Sequence, residues 1–248
     1  FRIGNPDLKP EESDNYSLGI VWTPEIVEGL MLTYDSWEIE KENTIVLLGR
    51  SNQVVNDLIN LINYGPNNCD AYNNPNVTRD NTFSYDAAEL AAFANKGICP
   101  VGEALIVRDP YANAATRTIS GEDIGLYYDL DTDLGSFKLS INYSETDEFT
   151  QEPTAEYAKL VAAQQSGQIP FNITLSGFGD LAGLDGNYVK KTSMKLNYRY
   201  GDWGAQISSL KKGDFYQNSE TRSDGTKFVI PSMRTVNASI YYLSLIHI

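Results

Sequence analysis

Apolar and polar residues alternate one by one through much of this chain, the period that sends successive side chains of a β-strand to opposite faces. Tyr16, Leu18, Ile20 and Trp22 interleave with Asn15, Ser17, Gly19 and Val21. Ile124, Leu126, Tyr128 and Leu130 interleave with Asp123, Gly125, Tyr127 and Asp129, and Phe137, Leu139, Ile141 and Tyr143 with Lys138, Ser140, Asn142 and Ser144. Met194, Leu196, Tyr198 and Tyr200 alternate with Lys195, Asn197 and Arg199; Val236, Ala238, Ile240 and Tyr242 alternate with Asn237, Ser239 and Tyr241. Two segments are less regular: Leu30–Ile39 blurs after Asp35, where a bulge is expected, and Trp203–Leu210 is weakly apolar. The pattern predicts about seven strands.

The connections alternate in length. Short turns are expected at Thr23–Gly29, Asp131–Gly135 and Gly201-Asp202, and long segments at Glu42–Thr116, Glu145–Val189 and Lys212–Pro231. Alternating short and long connections suit an up-and-down transmembrane barrel with tight turns on one side and extended loops on the other; a soluble sandwich turns every 8–12 residues or so. Trp22, Tyr128, Phe137, Tyr200 and Trp203 sit near the short turns, and Tyr34, Trp37, Tyr143, Tyr188, Phe215 and Tyr216 near the long ones. Two aromatic belts of this kind mark strands that cross both membrane interfaces. Helical spacing within the long segments predicts short helices at Asn52–Ile62, Tyr85–Asn95 and Glu156–Gln165, the last ending at Gly167. The expected fold class is therefore all-β: an antiparallel up-and-down transmembrane β-barrel portion with long external loops that contain short helices.

Charge removes several function classes. The 248 residues hold 19 Lys+Arg against 33 Asp+Glu, a net charge of −14, so neither nucleic acid nor an anionic inner leaflet is an expected partner. No apolar run reaches the roughly 18 residues of a spanning helix. Phe1-Arg2-Ile3-Gly4 lacks the basic start and apolar stretch of a signal peptide, which truncation would explain.

Catalytic chemistry finds little to stand on. The single histidine, His247, is next to the last residue, so no Ser-His-Asp or Cys-His arrangement can be assembled; no catalytic residue, metal or cofactor is expected. Asp129, Asp131 and Asp133 resemble the start of a calcium loop, but Leu134 and Ser140 stand where glycine and glutamate are needed, and a turn explains the same residues. Glu145, Asp147, Glu148 and Glu152 read as a solvated loop start, with bridging of divalent cations at a lipopolysaccharide surface as the sharper alternative. Asn76-Val-Thr and Asn172-Ile-Thr match a glycosylation triplet and would be incidental in a bacterial barrel. Cys69 and Cys99, thirty residues apart without a histidine nearby, are a disulfide candidate rather than a zinc site. Aromatic and amide side chains in the long loops, Tyr64, Asn68, Tyr72, Asn73, Tyr85 and Tyr111, with Asn67, Asn74 and Phe93 beside them, are the ligand-binding candidates through stacking and hydrogen bonds.

Gly4-Asn5-Pro6-Asp7-Leu8-Lys9-Pro10-Glu11, followed by Asn15-Tyr16-Ser17-Leu18-Gly19, resembles the Asn-Pro-x-Leu-x-Pro-Glu stretch of TonB-dependent receptors. Gly29 to Ile39 with the following Ile45 resembles that family's next ascending strand, and Gly121-Glu122-Asp123 its later hairpin. The resemblance spans most of residues 4–242 and leaves the long loops unmatched. It implies a barrel of about 22 strands around an N-terminal plug, of which residues 1–242 are a part without the plug, the TonB-engaging motif or the closing strand. Residues 243–248, where alternation ceases, are read as a non-native tail. The implied function is active uptake of a scarce nutrient, of siderophore, cobalamin or oligosaccharide type, across the bacterial outer membrane. Asp123, Lys138, Lys195 and Arg199 would face the lumen or the plug. The implied partners are the TonB complex, the chain's own plug domain, outer-membrane lipid and lipopolysaccharide, and a small-molecule nutrient. A passive porin or surface adhesin is the alternative, and a soluble all-β binding module a more distant one.

Overall fold

The computed structural model describes all residues except 66–67, 70–71, 171, 176, 222–225 and 244–248, and the side chains of Ser219 and Thr221. The expected tail thus lies mostly outside the described residues, as do Asn67 and His247. Seven long strands dominate: β1 Glu12–Trp22, β2 Leu30–Glu42, β3 Thr116–Thr132, β4 Gly135–Gln151, β5 Lys190–Tyr200, β6 Trp203–Lys212 and β7 Met233–Tyr242. They pair in the order β7-β6-β5-β4-β3-β2-β1, each beside its sequence neighbour, with Gly179–Asp180 as a short eighth strand along β4. This is the expected meander, open at β1 and β7.

The sequence placed every long strand but shortened two of them. β3 and β4 each run for 17 residues, because Thr116–Gly121 and Glu145–Gln151 are extended rather than loop, as their β-branched and aromatic residues Thr116, Thr118, Ile119, Thr146, Phe149 and Thr150 favour. β2 likewise continues unbroken past Asp35 to Glu42. Glu145, Asp147 and Glu148 therefore lie on a strand, where alternation sends Glu148 to the face opposite the other two.

The chain divides into two compact units. The first comprises Phe1–Glu12, Lys41–Thr116 and Gln151–Gly179; the second, Ser13–Glu40, Arg117–Thr150 and Asp180–Ile248, holds most of the sheet.

In the sheet unit, register assigns side chains to faces. Phe137, Tyr198, Ala205 and Ile240 lie in one row across β4 to β7; Leu139, Leu196, Ile207 and Ala238 form the next, and Ile141, Met194, Ser209 and Val236 a third. The rows between them emerge on the other face and are polar, as in Lys138, Asn197, Gln206 and Ser239 or Ser140, Lys195, Ser208 and Asn237. Next to the short turns the apolar face ends in Tyr200, Trp203 and Tyr242, with the Trp203 and Tyr242 rings 4.9 Å apart. On the polar face Tyr241 lies across Gly204, where an added Cβ would come within 2.0 Å of the ring; only glycine leaves that ring its place. The apolar face is not covered: Ile240 is 76% and Leu18 62% exposed.

The loop unit is built on an internal core. Helices α1 Arg50–Tyr64, α2 Ala87–Asn95 and α3 Ala155–Gln165 occupy the expected helical segments. α2 starts on a capping box: Asp86 accepts from the Ala88 and Glu89 amides, and Glu89 accepts from the Asp86 amide, at 2.8–2.9 Å. Thr154 caps α3 through the Tyr157 amide. Ile59 of α1, Tyr157, Leu160 and Ala163 of α3, and Leu48, Ala114, Ile169 and Phe178 form one buried cluster. The Asn-Pro-x-Leu-x-Pro-Glu stretch is pinned to this unit by side chains. Asn5 Nδ2 donates to Tyr111 O at 3.0 Å, the Lys9 amide donates to Asn113 Oδ1 at 2.9 Å, and Glu11 Oε1 accepts from the Ile45 amide at 2.7 Å.

Candidate functional site

Two surfaces carry the sequence-derived candidates, and each belongs to one unit. The first is a concavity of about 550 Å³ in the loop unit, lined among others by Tyr72, Asn73, Asn74, Arg79, Asn81 and Phe83. Its wall hangs on Asp57, a fully buried carboxylate on α1. Arg79 forms an ion pair with it, the Tyr72 hydroxyl donates to it, and Asn74 Nδ2 donates to it at 2.8 Å. A buried carboxylate is tolerated only with such compensation. Arg79 Nη1 also donates to Gly102 O at 2.7 Å, and at Gly102 a Cβ would meet Asp80 O at 2.0 Å, so the backbone approach needs glycine. Arg79 Nε is buried and has no hydrogen-bond partner among the described residues.

The Cys69–Cys99 disulfide closes one side of this concavity, its Cα atoms 5.4 Å apart. The Tyr64 ring meets Tyr72 edge-on with centroids 5.7 Å apart, and Asn68 Nδ2 donates to Tyr64 O at 3.3 Å. Tyr64, Asn68, Tyr72, Asn73 and the disulfide are thus brought together. Tyr85 stands behind the lining rather than in it, its ring 5.0 Å from both Phe83 and Phe93 and its hydroxyl donating to Val101 O at 2.9 Å. Tyr111 sits on the strand Asp109–Asn113, paired with Leu47, away from the concavity lining.

Many of these polar atoms are already used inside the fold. Tyr72 and Asn74 hold Asp57, whereas the Asn73 and Asn81 side chains make no hydrogen bond with the described residues. At the rim, the Thr82 hydroxyl and amide both donate to Asp80 Oδ1, at 2.7 and 2.8 Å, and hold the Asp80 carboxyl below the usual carboxylate range. With Arg79 paired to Asp57, the concavity offers amide hydrogen bonding and aromatic faces, with the Asp80 carboxylate at its rim. Asp57, Arg79 and Asn81 were missed by the sequence reading. The one usable signal was Asp57 itself, the single acidic residue of α1, which needs a partner when buried.

The second surface is the polar face of the sheet. Lys138, Lys195 and Arg199 share it by register, and Asp123 joins it by accepting from the Ser144 hydroxyl. Lys138 Nζ lies 2.9 Å from Asp129, both side chains exposed. Asp133 and Leu134 make the tight turn between β3 and β4, with the Leu134 amide donating to Thr132 Oγ1 at 3.2 Å. Three acidic residues on and just after β4 are used locally. Glu145 pairs with Lys190 at 3.0 Å, Glu148 accepts from the Thr150 hydroxyl at 2.9 Å, and Glu152 accepts from the Thr116 amide at 3.1 Å. No group of three metal-ligating residues occurs among the described residues.

Among solved structures, the chain resembles the siderophore receptor PirA from Acinetobacter baumannii at a TM-score of 0.51 and 16% identity, over 97% of this chain and 27% of that one. It resembles a mutant of the ferric enterobactin receptor PfeA from Pseudomonas aeruginosa at 0.51 and 13% identity, over 96% and 24%. A second mutant of that receptor, in complex with enterobactin, aligns at 0.50 and 13% identity, over 98% and 26%. These likenesses establish the fold, and the chain spans about a quarter of the length of those receptors. A comparison with curated protein sequences finds no match. The profile of the TonB dependent receptor-like β-barrel family matches residues 1–245. With a meander of long strands, one face apolar and uncovered and the other polar, the chain belongs to the TonB-dependent receptor β-barrel family of bacterial outer-membrane transport receptors, which are transporters and not enzymes.

Proposed function

We propose that residues 1–242 form part of the wall and external loops of an outer-membrane transporter that imports a scarce nutrient of siderophore, cobalamin or oligosaccharide type. The observation that carries this reading is the two-faced sheet. An uncovered apolar face costs little in lipid and much in water. The opposite face, with Asp123, Lys138, Lys195 and Arg199, suits the lumen of a barrel and the surface of a plug domain within it. The partners this reading brings are the TonB complex, the plug, outer-membrane lipid with lipopolysaccharide, and the nutrient itself.

In this reading the loop concavity takes part in capture, through the uncommitted amides of Asn73 and Asn81 and the ring of Phe83. Tyr72, Asn74 and Arg79 hold its shape around Asp57. A lost hydrogen bond to a bound ligand is worth about 1 kcal/mol, so Asn73→Ala with Asn81→Ala, losing two, is expected to weaken nutrient binding by roughly thirtyfold and leave assembly intact. The test is uptake by cells expressing the complete transporter, measured with labelled candidate nutrients and with or without collapse of the proton-motive force. Uptake that saturates and stops on de-energisation supports the reading; uptake indifferent to energy shows a passive pore instead.

A further inference from the structure

Each row of the apolar face in β4 to β7 can be followed towards the long connections, and there its chemistry changes. Beyond Ile141, Met194, Ser209 and Val236, the next row is Tyr143, Thr192, Lys211 and Arg234. Two cations thus stand side by side on adjacent strands, on a face whose preceding rows are mostly apolar. Glu145 neutralises Lys190 one row further on. Among the described residues, neither Lys211 nor Arg234 forms an ion pair. In a chain with 33 acidic residues against 19 basic ones, two adjacent unpaired cations run against the composition.

These cations border a groove of about 440 Å³ whose floor is Ile141, Met194, Ile207 and Val236 and whose lining contains no carboxylate. The aliphatic stems of lysine and arginine lie readily along apolar surface while their heads turn outward. Lysine offers a point charge and arginine a planar fork, a pair of donors suited to phosphate. Apolar floor and cationic rim form one continuous surface, which fits an amphiphile and has no use for a free ion. We infer that this groove binds a membrane lipid, its acyl chains on Ile141, Met194, Ile207 and Val236 and its phosphate between Lys211 and Arg234. The inference rests on the sheet being a membrane wall and is independent of what the transporter carries.

The complete transporter, purified in a neutral detergent, is titrated by native mass spectrometry with dioctanoyl phosphatidic acid, with dioctanoylglycerol, and with inorganic phosphate. The phosphatidic acid is expected to bind at least about tenfold more tightly than the same acyl chains without phosphate, and inorganic phosphate is expected not to displace it. Lys211→Gln with Arg234→Gln should bring the two lipids to equal affinity, while Lys211→Arg with Arg234→Lys should keep the preference and shows that the face still assembles. Equal binding of the two lipids by the unsubstituted protein overturns the inference. So does a preference that survives the double glutamine change, or displacement by inorganic phosphate alone. Nutrient uptake is read in a separate assay, so its failure and the loss of lipid preference are distinguishable.

Discussion

The loop unit and the sheet unit use the same kinds of apolar residue to opposite ends. Every buried hydrophobic residue among the described ones belongs to the loop unit, Leu160 and Ile169 being fully enclosed, while the sheet unit leaves Ile20, Val236 and Ile240 more than half exposed. One unit therefore makes its own water-free interior by packing α1 against α3. The other relies on its surroundings to be water-free. A chain with only the first habit would be an ordinary globular domain, and one with only the second would aggregate in water.

The sharpest way to break this comparison is at Asp57. Asp57→Ala leaves the Arg79 charge without its partner, and is expected to destabilise the loop unit by about 3–5 kcal/mol. Hydrogen exchange on the complete protein should show α1 and the Val77–Arg79 strand opening while β3 to β6 stay protected; protection lost equally in both units would mean that they do not behave separately. Leu160→Ala creates a cavity in the α1–α3 core and should cost about 2–5 kcal/mol, read as an earlier thermal transition of the same unit.

A substitution in the sheet probes the other half. Leu196 and Asn197 are neighbours on β5 facing opposite ways. Leu196→Lys puts a charge in the middle of the apolar face and should cost roughly 2–4 kcal/mol of membrane stability, whereas Asn197→Lys on the polar face should be near neutral. Heat-dependent gel mobility of the assembled barrel checks both, and equal damage from the two would remove the assignment of faces.

The smallest effect is a pH dependence in the loop unit. Burial pushes the Tyr157 phenol above the ordinary tyrosine range. The folded state thus holds this proton more tightly than the unfolded chain, so its contribution is complete below the unfolded value of about 10 and fades as pH rises through the folded one. Tyr157→Phe should flatten the alkaline limb of the loop unit's stability curve, with little change at neutral pH.

The sequence by itself determined the strands, their order, the alternation of turns with long connections and the three loop helices. Each of these is local, since a period of two or of 3.6 residues is written in neighbouring side chains. It also determined the division of the sheet into faces, so that Lys138, Lys195 and Arg199 fall together on the polar side. The tertiary structure alone decided which loop residues meet. Asp57 finds Arg79 across 22 residues of sequence, and no period records that encounter. It decided that Tyr72 and Asn74 are committed to a buried carboxylate while the Asn73 and Asn81 side chains make no hydrogen bond among the described residues. It also set Lys211 beside Arg234, because strand register fixes cross-strand neighbours through the whole ladder of backbone hydrogen bonds rather than through either strand's own pattern.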